Sequence, residues 1–251
     1  MNRTKIEWCD YTINPVKGLC PMACSYCYAR RMYKRFKWNP EIRYEDPFDE
    51  FYALRNKKPS RVFIGSAMEL FGEWINPDWM QRILSFCHAY SQHTFIFLTK
   101  QPQNLIKWSP FPGNCWVGVT ATNQESYYDG VSNIAKVQAK VKFVSFEPLL
   151  EQINGGECAE EYRLDSIDEF DWLIIGQQTP VSAKTEPKIE WVREIVDAAG
   201  KARIPVFLKD NLNPIFAKKD CAGFNQYKDQ LFTITDNFPT RYHLRQELPG
   251  D

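Results

Sequence analysis

Residues 77–98 read PDWMQRILSFCHAYSQHTFIFL, in which an amphipathic helical pattern is followed closely by an uninterrupted apolar run. Another apolar run, Arg61–Gly65 (RVFIG), precedes this stretch. Runs of β-branched and aromatic residues are typical of strands that are covered on both faces. The stretch therefore predicts a strand–helix–strand unit, and such units build parallel sheets.

The same alternation continues along the chain. Further buried strands are predicted at residues 115–119, 141–145, 171–175 and 204–208, and a first strand near residues 6–13. Ile189–Ala199 has the apolar spacing of a helix, with Gly200 as its expected C-cap. We therefore predict an α/β fold, namely a partial or complete parallel (β/α) barrel.

Two segments interrupt the alternation. Residues 154–169 contain Gly155 and Gly156 and then become acidic, which predicts a surface excursion between strands. Residues 212–251 are predicted to be a C-terminal appendage packed on the barrel. We expect neither segment to be a separate domain, so residues 1–251 are predicted to form a single domain.

The overall composition is that of a well-buried globular protein. The 251 residues include 31 Lys and Arg against 31 Asp and Glu, and 44% are hydrophobic. A net charge of zero argues against a protein whose main role is to bind polyanions. We see neither a secretory signal nor an apolar stretch close to the roughly 18 residues of a membrane span, so we expect a cytoplasmic protein.

One segment departs locally from this neutral balance. Arg30, Arg31, Lys34, Arg35 and Lys37 alternate with aromatic residues directly after a group of cysteines. Two interpretations remain open. The segment is either a solvated helix face with aromatic core packing, or a surface that stacks bases and attracts phosphates.

Three of the eight cysteines lie within eight residues, in Cys20-Pro-Met-Ala-Cys24-Ser-Tyr-Cys27. A cubane iron–sulfur cluster normally takes four thiolates, so three would leave one iron open to a small molecule. Zinc sites usually show four ligands in paired spacings, and no second pair follows here. Cys9 upstream could complete a closed zinc or ferredoxin-like site, and that alternative stays open. The other four cysteines are predicted to be mostly small buried residues: Cys87, Cys115, Cys158 and Cys221.

Polar residues follow nearly every predicted strand. In parallel α/β proteins the reactive groups lie at the carboxyl ends of the strands, and converging polar groups mark a site. Each could equally be a strand-end cap or a hydrogen-bonded core residue. The three isolated histidines are predicted to be structural. The polar candidates are Ser66, Glu69, Thr99, Lys100, Thr120, Asn123, Glu147, Gln177, Gln178, Lys209 and Asp210.

The three-cysteine loop, with Tyr26 just before its last cysteine, resembles the C-x3-C-x-aromatic-C loop of radical S-adenosylmethionine (SAM) enzymes. Further segments between Lys5 and Asn211 resemble, in chain order, a phage- and prokaryote-associated family of radical-SAM-like proteins of unassigned function, named for its three-cysteine motif. These segments are KIEW (5–8), NPV (14–16), FIGS (63–66), FLTK (97–100), VGVT (117–120), VSFEPLL (144–150), DWLIIG (171–176) and VFLK (206–209).

The resemblance implies a [4Fe-4S] cluster on Cys20, Cys24 and Cys27, in a barrel of the radical SAM type. SAM would bind the open iron, and one electron from the cluster would cleave it to methionine and a 5′-deoxyadenosyl radical. That radical would abstract a hydrogen atom from the substrate. A flavodoxin- or ferredoxin-like electron donor is therefore expected.

The resemblance also implies roles for individual residues. Tyr26 would lie near the adenine. Gly65, Ser66 and Glu69 stand where the superfamily usually carries a Gly-Gly-Glu stretch that contacts the methionine amino group, although the match is partial. Candidates for contacts with the ribose, the carboxylate or the substrate are Thr99, Thr120 and Glu147.

Two strand ends depart from the family pattern. Lys209-Asp-Asn-Leu212 replaces a common Lys-Gln-Trp-Gly, and Gly176-Gln-Gln-Thr179 replaces a common Gly-Gly-Glu-Ser. The second change removes a charge, so no acid–base role is expected at Gln178. Glu147 and Lys209 are the catalytic candidates.

Two classes of function follow. The first is a radical SAM enzyme acting on an unidentified substrate, with a nucleic acid or a nucleotide as the leading candidate. The alternative is a non-catalytic iron–sulfur or zinc module with a binding or regulatory role.

Overall fold

The computed structural model describes residues 2–153, 164–217, 230–235 and 241–250. Cys158, Cys221 and residues 154–163 of the predicted excursion lie outside these ranges. Leu164–Glu169, the remainder of that excursion, forms a short 3-10 helix with Ile167 buried.

Within the described ranges, eight strands form one sheet in the order β1-β2-β5-β6-β7-β8-β9-β10. β1 pairs antiparallel with β2, and the seven strands from β2 onward run parallel. In a closed barrel the last strand would pair with the first. Here the strand order runs from β1 to β10 without returning to its start, so the sheet is open. The predicted α/β fold is confirmed, in the form of a partial parallel barrel. The strands are β1 Asn2–Arg3, β2 Tyr11–Ile13, β5 Arg61–Ile64, β6 Thr94–Thr99, β7 Cys115–Thr120, β8 Val141–Phe146, β9 Trp172–Ile175 and β10 Val206–Leu208.

Smaller elements lie outside this sheet. Two strand pairs are antiparallel, β3 (Val16–Lys17) with β4 (Arg43–Tyr44) and β11 (Phe232–Thr235) with β12 (Arg241–Leu244). The α-helices of the described ranges are α1 Tyr28–Phe36, α2 Phe48–Leu54, α3 Pro77–Ala89, α4 Gln124–Ile134, α5 Ile189–Ala202 and α6 Asn213–Ala217. None of them has the length and apolar character needed to cross a membrane.

Local sequence signals explain where the longer helices begin and end. α3 starts where the Asn76 side chain accepts the Asp78 N–H at 2.9 Å, with Pro77 in the first turn. The prediction that α5 ends at Gly200 is wrong. The helix continues to Ala202 and Arg203 takes the left-handed position, with φ of 57°. Glycine is favoured at that position but is not required by it.

The chain divides into two compact units. The first comprises Met1–Val119 with Lys136–Val141, and the second comprises Thr120–Ala135 with Lys142–Asp251. Each unit has its own aromatic core. In the first, the buried Phe51 ring lies 5.3 Å from that of Phe95, and in the second the Trp172 ring lies 5.3 Å from that of Phe143.

The described part of the tail contacts the last strand of the sheet. The Leu208 N–H donates to the Arg245 carbonyl at 2.8 Å, and the Glu247 N–H donates to the Val206 carbonyl at 3.0 Å. The segment that follows β12 therefore hydrogen-bonds along the edge of β10.

Candidate functional site

The three cysteines of the motif lie between β3 and α1, in the first unit, and line one cleft. The empty space of this cleft, including the part that is open to solvent, is about 260 Å³, and the cleft is also lined by Gly18, Met22, Arg30 and Ala67. All three thiols are free and partly exposed. The loop therefore presents three thiols to a single space.

Hydrogen bonds fix the shape of this loop. The Arg30 guanidinium donates to the Cys20 carbonyl at 2.8 Å, and the Tyr33 hydroxyl accepts the Gly18 N–H at 2.8 Å. Gly18 has φ of +120°, and a Cβ there would lie 2.6 Å from the Glu41 carbonyl oxygen. Glycine is therefore required where the chain turns into the loop.

Backbone N–H groups point at two of the three sulfurs. Cys27 caps α1, and its Sγ accepts the Arg30 N–H at 3.5 Å. Burial raises the pKa of the Cys20 thiol, while hydrogen bonds from the Glu69 and Met22 N–H groups oppose the rise. Metal binding here would release a proton, after which these N–H groups would face a thiolate.

These residues fit a three-cysteine iron–sulfur cluster. Three thiols share one cleft, donors face two of the sulfurs, and the α1 N-terminus favours negative charge at Cys27. Across the described residues, no three His, Cys, Asp or Glu side chains converge on a point that would hold a single metal ion. A cubane does not need such convergence, because each cysteine binds a different iron.

Cys9 lies at the other end of β2. The Asp10 N–H donates to the Arg61 carbonyl at the start of β5, and the Asp10 carboxylate accepts the Arg61 N–H. The cysteine loop instead follows the far end of β2, beyond Asn14. Five residues of extended chain span about 15 Å. This separation argues against Cys9 as the fourth ligand.

Two other cysteines are structural, as predicted. Cys87 on α3 and Cys115 on β7 are fully buried and contact each other. Burial raises the pKa of Cys87 well above its usual value, which makes a reactive thiolate there unfavourable.

Glu69 is the centre of a buried hydrogen-bond network. Its Oε1 accepts the Thr99 hydroxyl at 2.7 Å and the Phe71 N–H at 3.0 Å, and its Oε2 accepts the Lys100 N–H at 2.7 Å. The residue is only 7% exposed. Two residues predicted to contact the cofactor, Glu69 and Thr99, thus bind each other, and through its N–H Glu69 also contacts Cys20.

The other predicted residues of the first unit lie at the same end of the sheet as the cysteines, beyond the carboxyl ends of the parallel strands. Gly65 has φ of +80°, and a Cβ there would lie 2.5 Å from the Leu70 Cδ1 atom. The Ser66 hydroxyl donates to the Asn14 side chain at 3.1 Å, and its carbonyl accepts the Tyr28 hydroxyl at 3.0 Å. These bonds connect the loop after β5 to the start of α1.

Tyr26 lies beside Lys100, whose Nζ is 5.8 Å from the centroid of the tyrosine ring. Next along the chain, the Gln101 amide donates to the Met22 sulfur at 3.1 Å. The segment after β6 therefore contacts the cysteine loop. Sequence reasoning gave no role to Met22, Asn14 or Gln101, although Asn14 belongs to a segment that resembles the family.

In the second unit, Glu147 and Lys209 form a salt bridge across the ends of β8 and β10. Their side chains are 25% and 14% exposed. Gly176, at the end of β9, lies beneath them, and a Cβ there would be 3.0 Å from the Lys209 Cδ and 3.3 Å from the Glu147 Cδ. The two catalytic candidates, 62 residues apart in sequence, are therefore in direct contact over a glycine.

Unsatisfied polar atoms lie near this pair. Ser145, on the same face of β8 as Glu147, is 1% exposed, and its Oγ has no hydrogen-bond partner among the described residues. The same holds for the Oε1 atom of Gln177, whose backbone is held by hydrogen bonds to Asn211. Buried polar atoms without partners are rare and are available to a ligand. Thr120 is also buried, at 6% exposed.

Asn123, one of the polar candidates, and His93, which was predicted to be structural, have local roles. Asn123 caps α4 in a reciprocal pair with Ser126. His93 is buried, with Nδ1 accepting the Ser60 N–H at 3.2 Å and Nε2 lying 3.0 Å from the Leu54 carbonyl oxygen. A structural role for His93 agrees with these contacts.

Together, the fold and the site define an open parallel α/β barrel protein with a three-cysteine loop after its first parallel strand. The chain belongs to the family described as "Protein of unknown function (DUF5131)", whose model matches residues 3–219. Comparison with curated proteins gives no significant match. The narrower assignment to a phage-associated family stays a prediction.

Among solved structures, the chain is similar to spore photoproduct lyase. For a cysteine-to-serine mutant of that enzyme the TM-score is 0.53 at 14% identity, over 82% of this chain and 78% of that one. For a double mutant with bound AdoMet and dinucleoside spore photoproduct, the TM-score is 0.48 at 14% identity, and the match covers 97% of this chain and 71% of that one. At this identity, the first similarity shows a shared fold.

Proposed function

We propose that this protein is a radical SAM enzyme. The observation that carries the proposal is the cleft of three free, partly exposed thiols beyond the carboxyl end of β2 in an open parallel barrel. Cys20, Cys24 and Cys27 would hold a [4Fe-4S] cluster with one iron left for SAM. The similar fold of spore photoproduct lyase, itself a radical SAM enzyme, supports this proposal.

When bound, the cluster and SAM supply a one-electron cleavage that gives methionine and a 5′-deoxyadenosyl radical. The protein's own task is to orient the cofactor and exclude water from it. Gly65 and Ser66 would border the cofactor's methionine group, and Tyr26 its adenine. Glu69 and Thr99 would act by holding the loops after β5 and β6 in place. Thr120 is assigned to the ribose or to the substrate.

Glu147 and Lys209 are proposed to act on the substrate. Their salt bridge brings an acceptor and a donor together, and Ser145, two residues before Glu147, has a buried hydroxyl without a hydrogen-bond partner among the described residues. A ligand that offers a complementary donor and acceptor could replace one partner of the pair. The reducing electron is proposed to come from a flavodoxin- or ferredoxin-like donor, and free thiols suit the reducing cytoplasm.

The proposal is tested by anaerobic reconstitution with iron and sulfide, followed by dithionite and SAM. We expect 5′-deoxyadenosine and methionine in equal amounts. A protein that holds four irons but releases no 5′-deoxyadenosine would instead support the alternative, a non-catalytic iron–sulfur module. One equivalent of zinc in anaerobically purified protein would support a zinc module.

The Glu147–Lys209 pair is expected to stabilise the second unit. Lys209→Met leaves Glu147 largely buried without its cation, so we expect the free energy of unfolding to fall by about 1–3 kcal/mol. Adding Glu147→Gln should recover part of the loss. A double-mutant cycle in urea measures the coupling.

Lys142 provides a matched control in the same unit. Its Nζ lies 3.5 Å from the Glu169 carboxylate, whose side chain is 42% exposed. Lys142→Met should change the free energy of unfolding by less than about 1 kcal/mol. Equal effects at Lys142 and Lys209 would show that the Glu147–Lys209 pair has no special role.

A further inference from the structure

The outer face of α1 is exposed and aromatic. Only Ala29 of this helix is buried. Tyr28, Met32 and Phe36 follow one another at four-residue spacing, so they share one face, and they are 48%, 36% and 51% exposed. Trp38 follows the left-handed turn at Lys37, is 46% exposed, and stacks on Phe36 with ring centroids 5.5 Å apart.

The adjoining side of α1 is strongly basic. Residues 11–40 contain six Lys and Arg and no Asp or Glu, in a chain whose net charge is zero. Four of these cations lie on exposed residues, and the Arg35 guanidinium lies over the Phe36 ring at 5.2 Å. We call this surface the α1 face; it comprises Tyr28, Arg31, Met32, Lys34, Arg35, Phe36, Lys37 and Trp38.

A second exposed aromatic pair shows what is particular to the α1 face. On α2, Phe48 and Tyr52 are 54% and 51% exposed, their rings stack at 6.0 Å, and Arg55 lies over Tyr52. That pair is flanked by the exposed acids Asp46 and Asp49 and by the partly exposed Glu50. The rings are alike, so the charge around them is what distinguishes the two surfaces.

We propose that the α1 face binds single-stranded nucleic acid, with bases stacked on Phe36 and Trp38 and phosphates paired with Arg31, Arg35 and Lys37. Rings accept bases only when the bases are free of a duplex, so the ligand is single-stranded. The face spans about 12 Å along α1, room for two or three nucleotides. Phe36 stacks on Trp38 and lies under the Arg35 guanidinium, so rings and a cation meet at one point, as in surfaces that stack bases and pair with phosphates.

The position of the face suggests why it would bind such a ligand. Cys27 is the N-cap of α1, and the Tyr28 hydroxyl bonds to the Ser66 carbonyl, so the α1 face begins at the cysteine cleft. A strand on this face would present a neighbouring nucleotide to that cleft. The inference rests on the proposed function in one respect, namely that the bound strand would be the substrate of the enzyme. Binding of the strand itself requires no iron–sulfur cluster.

The test is fluorescence anisotropy on the full chain with a labelled single-stranded DNA of about 15 nucleotides, across a salt series. Phe36→Ala and Trp38→Ala should each weaken binding roughly 5- to 100-fold and leave the salt dependence unchanged. Arg35→Ala and Lys37→Ala should each make the slope of log K against log salt shallower by about 0.7. Tyr52→Ala, the matched control on α2, should bind like the parent chain.

Several results would overturn the inference. They are equal binding by the Phe36, Trp38 and Tyr52 variants, tighter binding to the duplex of the same sequence, preferential retention on anionic lipid vesicles, or self-association that the α1 variants abolish. Phe36 is about half exposed, so its variant should fold even if Trp38→Ala does not. A parent chain that binds no single-stranded DNA but releases 5′-deoxyadenosine would sink this inference and leave the proposed function intact.

Discussion

Replacing Cys20, Cys24 or Cys27 by alanine, one at a time, is expected to abolish both the iron–sulfur cluster and the cleavage of SAM. Each thiol borders the same cleft, and two of them already accept backbone N–H groups. A cubane held by three ligands cannot lose one and keep an ordered open iron. Iron should fall from about four per chain to near zero, and 5′-deoxyadenosine to background.

Cys9→Ala is the matched control for these variants. Cys9 is buried at the opposite end of β2, so the variant should keep its iron and its activity and lose only about 1 kcal/mol of stability. Loss of the cluster in Cys9→Ala, at unchanged folding, would show a closed four-thiolate site and would contradict the open-iron account.

Glu69→Ala is expected to have the second-largest effect. It removes the acceptor of three donors, namely the Thr99 hydroxyl and the N–H groups of Phe71 and Lys100. Buried donors left without partners are unfavourable, and a charged acceptor strengthens each bond, so we expect the free energy of unfolding to fall by about 3–5 kcal/mol. Urea unfolding of the apoprotein measures this loss.

Two further variants test the interpretation of Glu69. Glu69→Gln keeps one oxygen acceptor but turns an NH₂ group toward a donor. Its loss of unfolding free energy should therefore lie between those of the parent chain and Glu69→Ala. Glu73→Ala, four residues on and exposed, should change stability by no more than about 0.5 kcal/mol. If Glu69→Ala loses the full expected stability but keeps its iron content, the hydrogen-bond network of Glu69 supports the fold and not the cysteine loop.

The sequence predicted the sheet well because buried parallel strands leave a strong local signal. All six predicted apolar runs form strands, with ends shifted by one or two residues. The last of these strands begins at Val206 and not at Ile204, because Pro205 lacks the N–H group that hydrogen bonding between strands needs. The antiparallel pair of β3 with β4 has only two residues per strand, and so short a pair leaves no such signal.

The partners of the site residues could not be predicted in the same way. Glu147, Gly176 and Lys209 meet because Phe146 pairs with Ile175 and Ile175 with Leu208, which makes the next three residues neighbours. That depends on register across three strands, which no local pattern encodes. Likewise, Glu69 and Thr99 were expected at a cofactor, but their contact depends on how the loops after β5 and β6 fold together.

The central claim is most directly tested by electron paramagnetic resonance of the anaerobically reconstituted, dithionite-reduced protein before and after addition of SAM. We predict a reduced [4Fe-4S] signal whose g values shift when SAM coordinates the vacant iron. A protein without that cluster, or a cluster whose spectrum SAM leaves unchanged, would contradict the account.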